Sequence, residues 1–380
     1  METGAPEQWK TLIVDDDAFI GRLVQLRLQT SGFVSDIVVN GEAALAKLSE
    51  NAYDLIFLDV FLPDIGGLDL LGRIRAIDHD IGIIVMTASS TARTAIDALR
   101  NGADDYLRKP FEPEEFAAVL KRTTDRVRLT RQNAQLRAQL DEKRRVLEAD
   151  LARAAKVQRS LLPQTYPDLP DYEFSARCLP AREVGGDFYD WFESSPGVWN
   201  VMLVDVMGKG MPAALLMATI RAIFRTSALN RSPGAALAVV VGAIGDDLER
   251  LDSFATVFLA QLDVASGVVT YVDAGHGLAI ARHQDGRIGT PTERGLPIGV
   301  LRDEVYTEGQ FVLGVGDTLV IYSDGLLDAR NDIDLMPEPL GALLPATATL
   351  VELVDYLTAL APDTANLPDD LTVVALRRNQ

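Results

Sequence analysis

The 380 residues carry a formal net charge of −19 and an apolar fraction of 48%, enough chain for two cored domains at roughly 100–200 residues each plus a connector. That acidity excludes general binding to a phosphate backbone, which attracts basic surfaces, and one cysteine, Cys178, excludes an internal disulfide framework and a cysteine-held metal. Three histidines, His79, His276 and His283, share no metal-ligand spacing, so any metal is held by oxygen, which points to Mg²⁺ or Mn²⁺. No run approaches the ~18 apolar residues of a membrane span, and the first residues lack the basic and apolar regions of a secretory signal. A cytoplasmic protein without nucleic-acid or membrane partners is the expectation.

In the first region, to about Arg122, short β-rich runs alternate with helical patterns: Thr11–Val14, Val34–Val39, Leu55–Asp59, Ile83–Thr87 and Tyr106–Lys109. Strands alternating with helices of this length predict a five-stranded, doubly wound parallel sheet, and such sheets bind ligands beyond the carboxyl ends of their strands. The polar residues stand there. Asp15, Asp16 and Asp17 close the first run, Asp59 the third, Thr87 the fourth and Lys109 the fifth. A lone aspartate at a strand end is ordinarily a turn residue or helix cap; their joint placement at one sheet edge argues for a site.

The stretches "LIVDDD", "LIFLDVFLPDIGGLDLL", "VMTAS" and "DDYLRKPF" resemble the receiver domain of two-component response regulators, a flavodoxin-like fold, across this whole region. The resemblance implies that Asp59 accepts a phosphoryl group from a sensor histidine kinase or phosphotransfer protein. It further implies that Asp15 and Asp16, with Asp59, hold Mg²⁺, that Thr87 and Lys109 contact the phosphoryl oxygens, and that Tyr106 is an aromatic switch. Pro110 matches the family's cis-proline turn. An aspartate carboxylate is a competent covalent nucleophile, and metal, ammonium and hydroxyl neutralise charge on the transferring group.

From Leu120 to Leu162 the chain has no Pro and no Gly. Leu129, Leu136, Leu140, Leu147, Leu151, Ala154 and Leu161 fall in one narrow helical stripe, a coiled-coil-like seam that predicts a homodimer through this linker. The alternative is an amphipathic helix lying along its own domain, since Lys143 and Asp150 interrupt the heptads. Between Lys121 and Arg159 twelve Lys and Arg face five Asp and Glu, a local +7 that leaves −26 on the remainder; a solvated helix face accounts for it. The predicted boundaries are 1–122 for the first domain, 123–162 for the linker and 163–380 for the second domain.

Pro163 ends the helix, and "PQTYPDLP" marks an extended entry to the second domain. β-rich runs follow near Glu173–Leu179, Phe188–Phe192, Trp199–Val206, Thr256–Leu262, Val268–Val272, Thr318–Tyr322 and Leu371–Leu376, with helical stretches at Pro212–Ala228 and Pro233–Leu251. Hairpin signals in "DVASGVVTY" and "ARHQDGRIGT" favour antiparallel pairing, so an α+β fold with helices packed on sheets is expected. Asp187, Asp205, Asp324, Asp369 and Asp370 sit at strand ends or beside glycines. Hard oxygen ligands from distant parts of a chain suit a pair of Mg²⁺ or Mn²⁺ ions.

The ordered series "AAKVQRSLLP", "PAREVGGDFYD", "VDVMGKGMPAALLMA", "FATVFLAQLD", "DAGHG", "YSDGLLDARN" and "DDLTVVAL" resembles the SpoIIE-like branch of the PPM (protein phosphatase 2C) family of metal-dependent Ser/Thr phosphatases, from about Ala154 onward. The resemblance implies a β-sandwich flanked by helices, with two metals in the cleft. Asp205 and Asp324 are then the catalytic metal ligands: Asp205 bridges the metals with the Val206 carbonyl assisting, and Asp187, Asp324 and Asp369 complete the set, with Asp370 a second choice. Arg182 either touches substrate phosphate or makes a structural salt bridge; His276 either acts as general acid or packs in a turn. Asp273 and Gly277 replace the Asn residues common in "NAGHN", and Ser323 a frequent Thr, without removing a ligand. The resulting expectation is a response regulator whose receiver controls a phosphatase acting on a phosphorylated STAS-type anti-sigma factor antagonist, in a partner-switching pathway. The alternative is a non-catalytic adaptor that binds a sigma factor or its regulator under receiver control.

Overall fold

The structure, a computed structural model, describes residues 8–88, 92–329, 335–344, 349–361, 363 and 366–380. Ser89 and residues 330 and 331, quoted above within two motifs, lie outside them. The chain divides into two compact units, Met1–Arg145 and Val146–Gln380.

In the first unit, β1 (Lys10–Val14), β2 (Val34–Val38), β3 (Leu55–Asp59), β4 (Gly82–Thr87) and β5 (Asp105–Arg108) pair in parallel in the order β2-β1-β3-β4-β5, the flavodoxin-like order. β3 and β4 are buried throughout, which is why their sequences read as continuous apolar runs without alternation. One face packs against α2 (Gly41–Glu50), α3 (Gly67–Ile77) and α4 (Ala92–Arg100), burying Leu58, Val85, Leu70, Ile74 and Ala98. The other packs against α1 (Ala18–Thr30) and the start of α5 (Pro113–Leu161), where the Phe57 and Phe116 rings stack at 5.3 Å.

α5 runs unbroken over 49 residues. Its first turns are bound to the receiver by Val119, Leu120 and Val127 and by charge: Arg126 Nη2 reaches Asp104 at 2.7 Å and Arg131 Nη1 reaches Asp54 at 2.6 Å. From residue 132 to residue 150 every side chain is exposed. The seam leucines Leu129, Leu136, Leu140 and Leu147 are 56–66% exposed, so this stretch does not lie along its own domain.

The second unit is a four-layer sandwich. β7 (Phe188–Ser195), β8 (Val198–Val206), β9 (Ala255–Asp263), β10 (Val268–Ala274) and β13 (Gly309–Val312) form one sheet; β6 (Tyr172–Leu179), β11 (Ala279–Arg282), β12 (Ile288–Gly289), β14 (Thr318–Tyr322) and β15 (Leu371–Arg378) form the other. Both are antiparallel. Between them Phe174, Trp191, Leu203, Phe258, Ile321 and Val374 make a single core, each side chain contributing on the order of 1.5–3 kcal/mol by leaving water. α6 (Met211–Ser227) and α7 (Pro233–Arg250) cover the first sheet; α9 (Pro337–Leu343) and α10 (Leu350–Ala359) cover the second, while the short α8 (Gly325–Asp328) follows β14. The two units have the fold class expected from the sequence.

Candidate functional sites

In the receiver, the carboxyl ends of β1, β3 and β5 bring the acids to one basic residue. Lys109 Nζ donates to Asp15 Oδ2 and to Asp59 Oδ2, each at 2.6 Å. Burial raises the Asp15 pKa, against the lowering effect of Lys109. Burial works to lower the Lys109 pKa, but the hydrogen bonds to both carboxylates win and raise it. Carboxylate oxygens of Asp15, Asp16 and Asp59 lie within 4.8 Å of one another, a donor set of hard oxygens that fits one Mg²⁺. Thr87 is 3% exposed at the end of β4 and its carbonyl accepts from Lys109 N at 2.8 Å. The Lys109–Pro110 peptide is cis. Tyr106 is 39% exposed on β5.

In the second unit the register explains how residues far apart in sequence meet. Phe188 on β7 pairs with Val204 on β8, so Asp187, just before β7, comes beside Asp205. On the other sheet Tyr322 on β14 pairs with Val373 on β15, which places Asp324, just past β14, near Asp369 and Asp370, just before β15. Ser323 fastens that pair: its Oγ donates to the Asp370 carbonyl at 3.0 Å and accepts from Thr372 N at 2.8 Å. The five carboxylates are electrostatically coupled. Burial, then Asp205 and Asp370, raise Asp187 well above the carboxylate range. Burial, then Asp324, push Asp205 up to about 7, with the Asp187 carboxyl within hydrogen-bonding reach. Burial, then Asp369, raise Asp324.

Such a cluster is costly without a cation. Asp187 Oδ2 is buried and has no hydrogen-bond partner among the described residues, and an unpaired buried carboxylate oxygen is among the most expensive groups in a protein. The donor set is all oxygen, and a glycine clears the approach: a Cβ on Gly186 would lie 2.5 Å from the Val206 carbonyl oxygen and 3.1 Å from Ala213 Cβ. The fit to divalent cations thus rests on donor chemistry and on the unpartnered Asp187 oxygen; among the described residues only Asp15, Asp16 and Asp59 bring three such oxygens within 4.8 Å of one another. Gly186→Ala is expected to lower the unfolding temperature of this unit by roughly 3–10 °C, because overpacking against backbone costs ~1–3 kcal/mol; a calorimetric shift under 1 °C would mean that the loop yields.

Asp370 differs from the others. Its Oδ1 accepts from Ala181 N at 2.7 Å, and its Oδ2 from Gly186 N at 2.6 Å and Asp187 N at 3.4 Å. Burial still raises its pKa, with those amides opposing; it orders the loop that carries Asp187. Lys209, which the sequence did not single out, puts Nζ 2.9 Å from Asp369 Oδ2 and also donates to the Pro368 carbonyl. Nothing in "GKG" announces this, because it depends on a pairing 160 residues away in the chain.

Arg182 corrects an expectation: it is exposed, and among the described residues it makes no salt bridge. A Cβ on Gly210 would sit 3.7 Å from its Nη1, so the guanidinium lies by the loop that carries Lys209. His276 is buried in its turn, with Nδ1 3.1 Å from Thr256 Oγ1 and its amide donating to Asp273 Oδ1 at 2.7 Å. Burial lowers its pKa to about 4, so at neutral pH it carries no proton to donate as an imidazolium acid.

Comparison with known proteins matches both units to known families. The family model for the response regulator receiver domain matches residues 11–121, and that for stage II sporulation protein E (SpoIIE) matches residues 195–379; Asp187 lies just outside the second match. Protein IcfG of Synechocystis sp. (strain ATCC 27184 / PCC 6803 / Kazusa) is 24% identical over 60% of this chain and 42% of its own length. The uncharacterized transcriptional regulatory protein YkoG of Bacillus subtilis (strain 168) is 38% identical over 30% of this chain and 50% of its own. The chain thus spans half or less of the length of these curated relatives. The SiaA-PP2C domain of Pseudomonas aeruginosa superimposes with a TM-score of 0.54 at 23% identity, covering 62% of this chain and 98% of that one, a likeness of fold. The chain joins a response regulator receiver domain, residues 11–121, to a domain of the SpoIIE family, residues 195–379.

Proposed function

We propose that this chain is a phosphorylation-controlled, metal-dependent protein serine/threonine phosphatase of the cytoplasm, and that its substrate is a phosphorylated STAS-type anti-sigma factor antagonist in a partner-switching pathway. The observation that carries the reading is the convergence of acids from the ends of two strand pairs, one in each sheet, on a chain that also presents Asp59 to a phosphodonor. Asp187, Asp205, the Val206 carbonyl, Asp324 and Asp369 would hold two Mg²⁺ or Mn²⁺ ions. When bound, such a pair supplies a water of lowered pKa and offsets charge on the phosphoryl group.

The chain's own residues do the rest. Asp370 keeps the Gly186–Asp187 segment in register through its two backbone amides and ties it to the amide of Ala181. Lys209 holds Asp369 in place, and Arg182, exposed and unpaired among the described residues beside the same loop, is available for a substrate phosphate. His276 stays neutral and fixes its turn. A non-catalytic adaptor would have no use for a buried, unpartnered carboxylate oxygen at Asp187.

Asp59 receives phosphate from a sensor histidine kinase or phosphotransfer protein, with Asp15 and Asp16 holding Mg²⁺ and Thr87, Lys109 and Tyr106 responding to it. The functional boundaries are 1–122, 123–162 and 163–380, and the exposed leucine seam of α5 pairs with that of a second copy. Incubation of the protein and Mn²⁺ with a phosphorylated STAS domain is expected to release phosphate at a rate that changes when beryllofluoride occupies Asp59. No release under either condition would end the substrate assignment, and an unchanged rate would end the control by Asp59.

A further inference from the structure

Gln158, three residues before the end of α5, meets a single residue with both ends of its amide. Nε2 donates to the Gly185 carbonyl at 2.6 Å and Oε1 accepts from Gly185 N at 3.1 Å. A two-point clamp fixes the rotation of the peptide as well as its position, which one hydrogen bond cannot do. Gly185 itself has no room for a side chain: a Cβ there would lie 2.3 Å from Asp370 Oδ2. That same oxygen accepts from the next amide, Gly186 N, at 2.6 Å, and the residue after it is Asp187. Ala155, one turn back on the same face of α5, packs on Val184 and Ala214. One turn of α5 therefore grips the segment 184–187 through an apolar seat and a polar clamp, and the segment ends in a carboxylate of the cluster.

We propose that Gln158 is a positioning residue for the candidate metal centre, converting displacement of the last turns of α5 into a change in divalent-cation affinity through the Gly185–Asp187 segment. This rests on the reading of the carboxylate cluster as a metal site. Among the described residues Gln158 makes no hydrogen bond to a carboxylate of the cluster; it acts through the loop.

The test uses the full chain with Asp16→Ala, so that the receiver's own acids contribute less Mn²⁺ binding. Bound Mn²⁺ is read from the loss of the free-ion paramagnetic resonance signal, alongside phosphatase rates across a Mn²⁺ titration and the unfolding temperature in chelator. Gln158→Ala removes the clamp. Gln158→Met removes both hydrogen bonds but keeps the length and apolar contact of the side chain, and it decides the matter if the alanine variant folds poorly. Both are expected to weaken Mn²⁺ binding about 10–100-fold, the range for groups that orient metal ligands. The rate at saturating Mn²⁺ is expected to stay within about threefold of the parent, a split that a purely structural role would not produce. Unaltered Mn²⁺ binding in Gln158→Met, or a lower rate that high Mn²⁺ does not restore, overturns the proposal. Asp205→Ala serves as the reference: if it loses Mn²⁺ and Gln158→Met does not, the clamp alone falls, whereas if Asp205→Ala binds as the parent does, the metal-site reading falls and takes the clamp with it.

Discussion

Asp205→Ala is expected to remove phosphatase activity by well over about 100-fold, since even groups that merely orient metal ligands are worth 10–100-fold, while leaving phosphorylation of Asp59 intact. The reason is its position. Asp205 is the next-to-last residue of β8, and its carboxyl feels Asp324, Asp187, Asp369 and Asp370 together. A neighbour cannot take its place, because Asp370 commits both oxygens to backbone amides and Asp369 is paired with Lys209. Asp324→Ala is expected to follow it in direction. Steady-state rates at saturating Mn²⁺ on a phosphoserine protein make the measurement. Parent-like turnover in the Asp205 variant would show that the catalytic centre lies elsewhere.

The receiver was legible almost to the residue, because β1, β3 and β4 are short buried runs that end on or just before the group they deliver: β3 occupies the span Leu55–Asp59 read from the sequence, and β1 and β4 each start one residue sooner. In the second unit the long strands and α6 and α7 carry apolar runs that are as easy to read. β13 does not. It is a four-residue edge strand held only by β10, and so short a run of Gly, Gln, Phe and Val has no period to detect. α10 was readable and was missed: Thr349 caps Glu352 N at 3.2 Å and Glu352 returns to Thr349 N at 3.0 Å, a capping box written in the sequence as Thr-Leu-Val-Glu.

The candidate sites divide along similar lines. Acids at strand ends are visible in a sequence, because the end of an apolar run marks them. What joins them is not, since the proximity of Asp187 to Asp205 and of Asp324 to Asp369 depends on the register of pairs far apart in the chain. Lys209, Gln158 and the unpaired state of Arg182 were invisible for that reason: each is defined by a non-local partner, or by the lack of one, and none breaks a local pattern.

In chelator, the same cluster should make stability fall as pH rises. Asp205, pushed up to about 7 by burial and its neighbours, binds its proton more tightly in the folded chain than in the unfolded one. Its contribution is therefore complete below the unfolded carboxylate range near 4 and is lost as pH climbs through 7. Burial shifts Asp187, Asp324 and Asp370 in the same direction. His276 opposes them: held down to about 4 by burial, it favours the folded state above the unfolded value near 6.5 and gives that up as pH falls toward 4. The carboxyl effect dominates between pH 8 and 6.5, where folded His276 is neutral and the unfolded histidine takes up at most about half a proton. Over that window the unfolding temperature of the second unit in chelator is expected to rise as pH is lowered, and below it His276 offsets part of the rise. Asp205→Asn is expected to raise the unfolding temperature at pH 8 and to flatten the slope, exchanging activity for stability in the metal-free chain. Saturating Mn²⁺ should invert the sign, because protons then compete with the cations for the same oxygens. Scanning calorimetry in chelator at three pH values, on the parent and on Asp205→Asn, decides it: an unfolding temperature that holds level or drops from pH 8 to 6.5 in the parent would mean that these carboxyls do not crowd one another in solution.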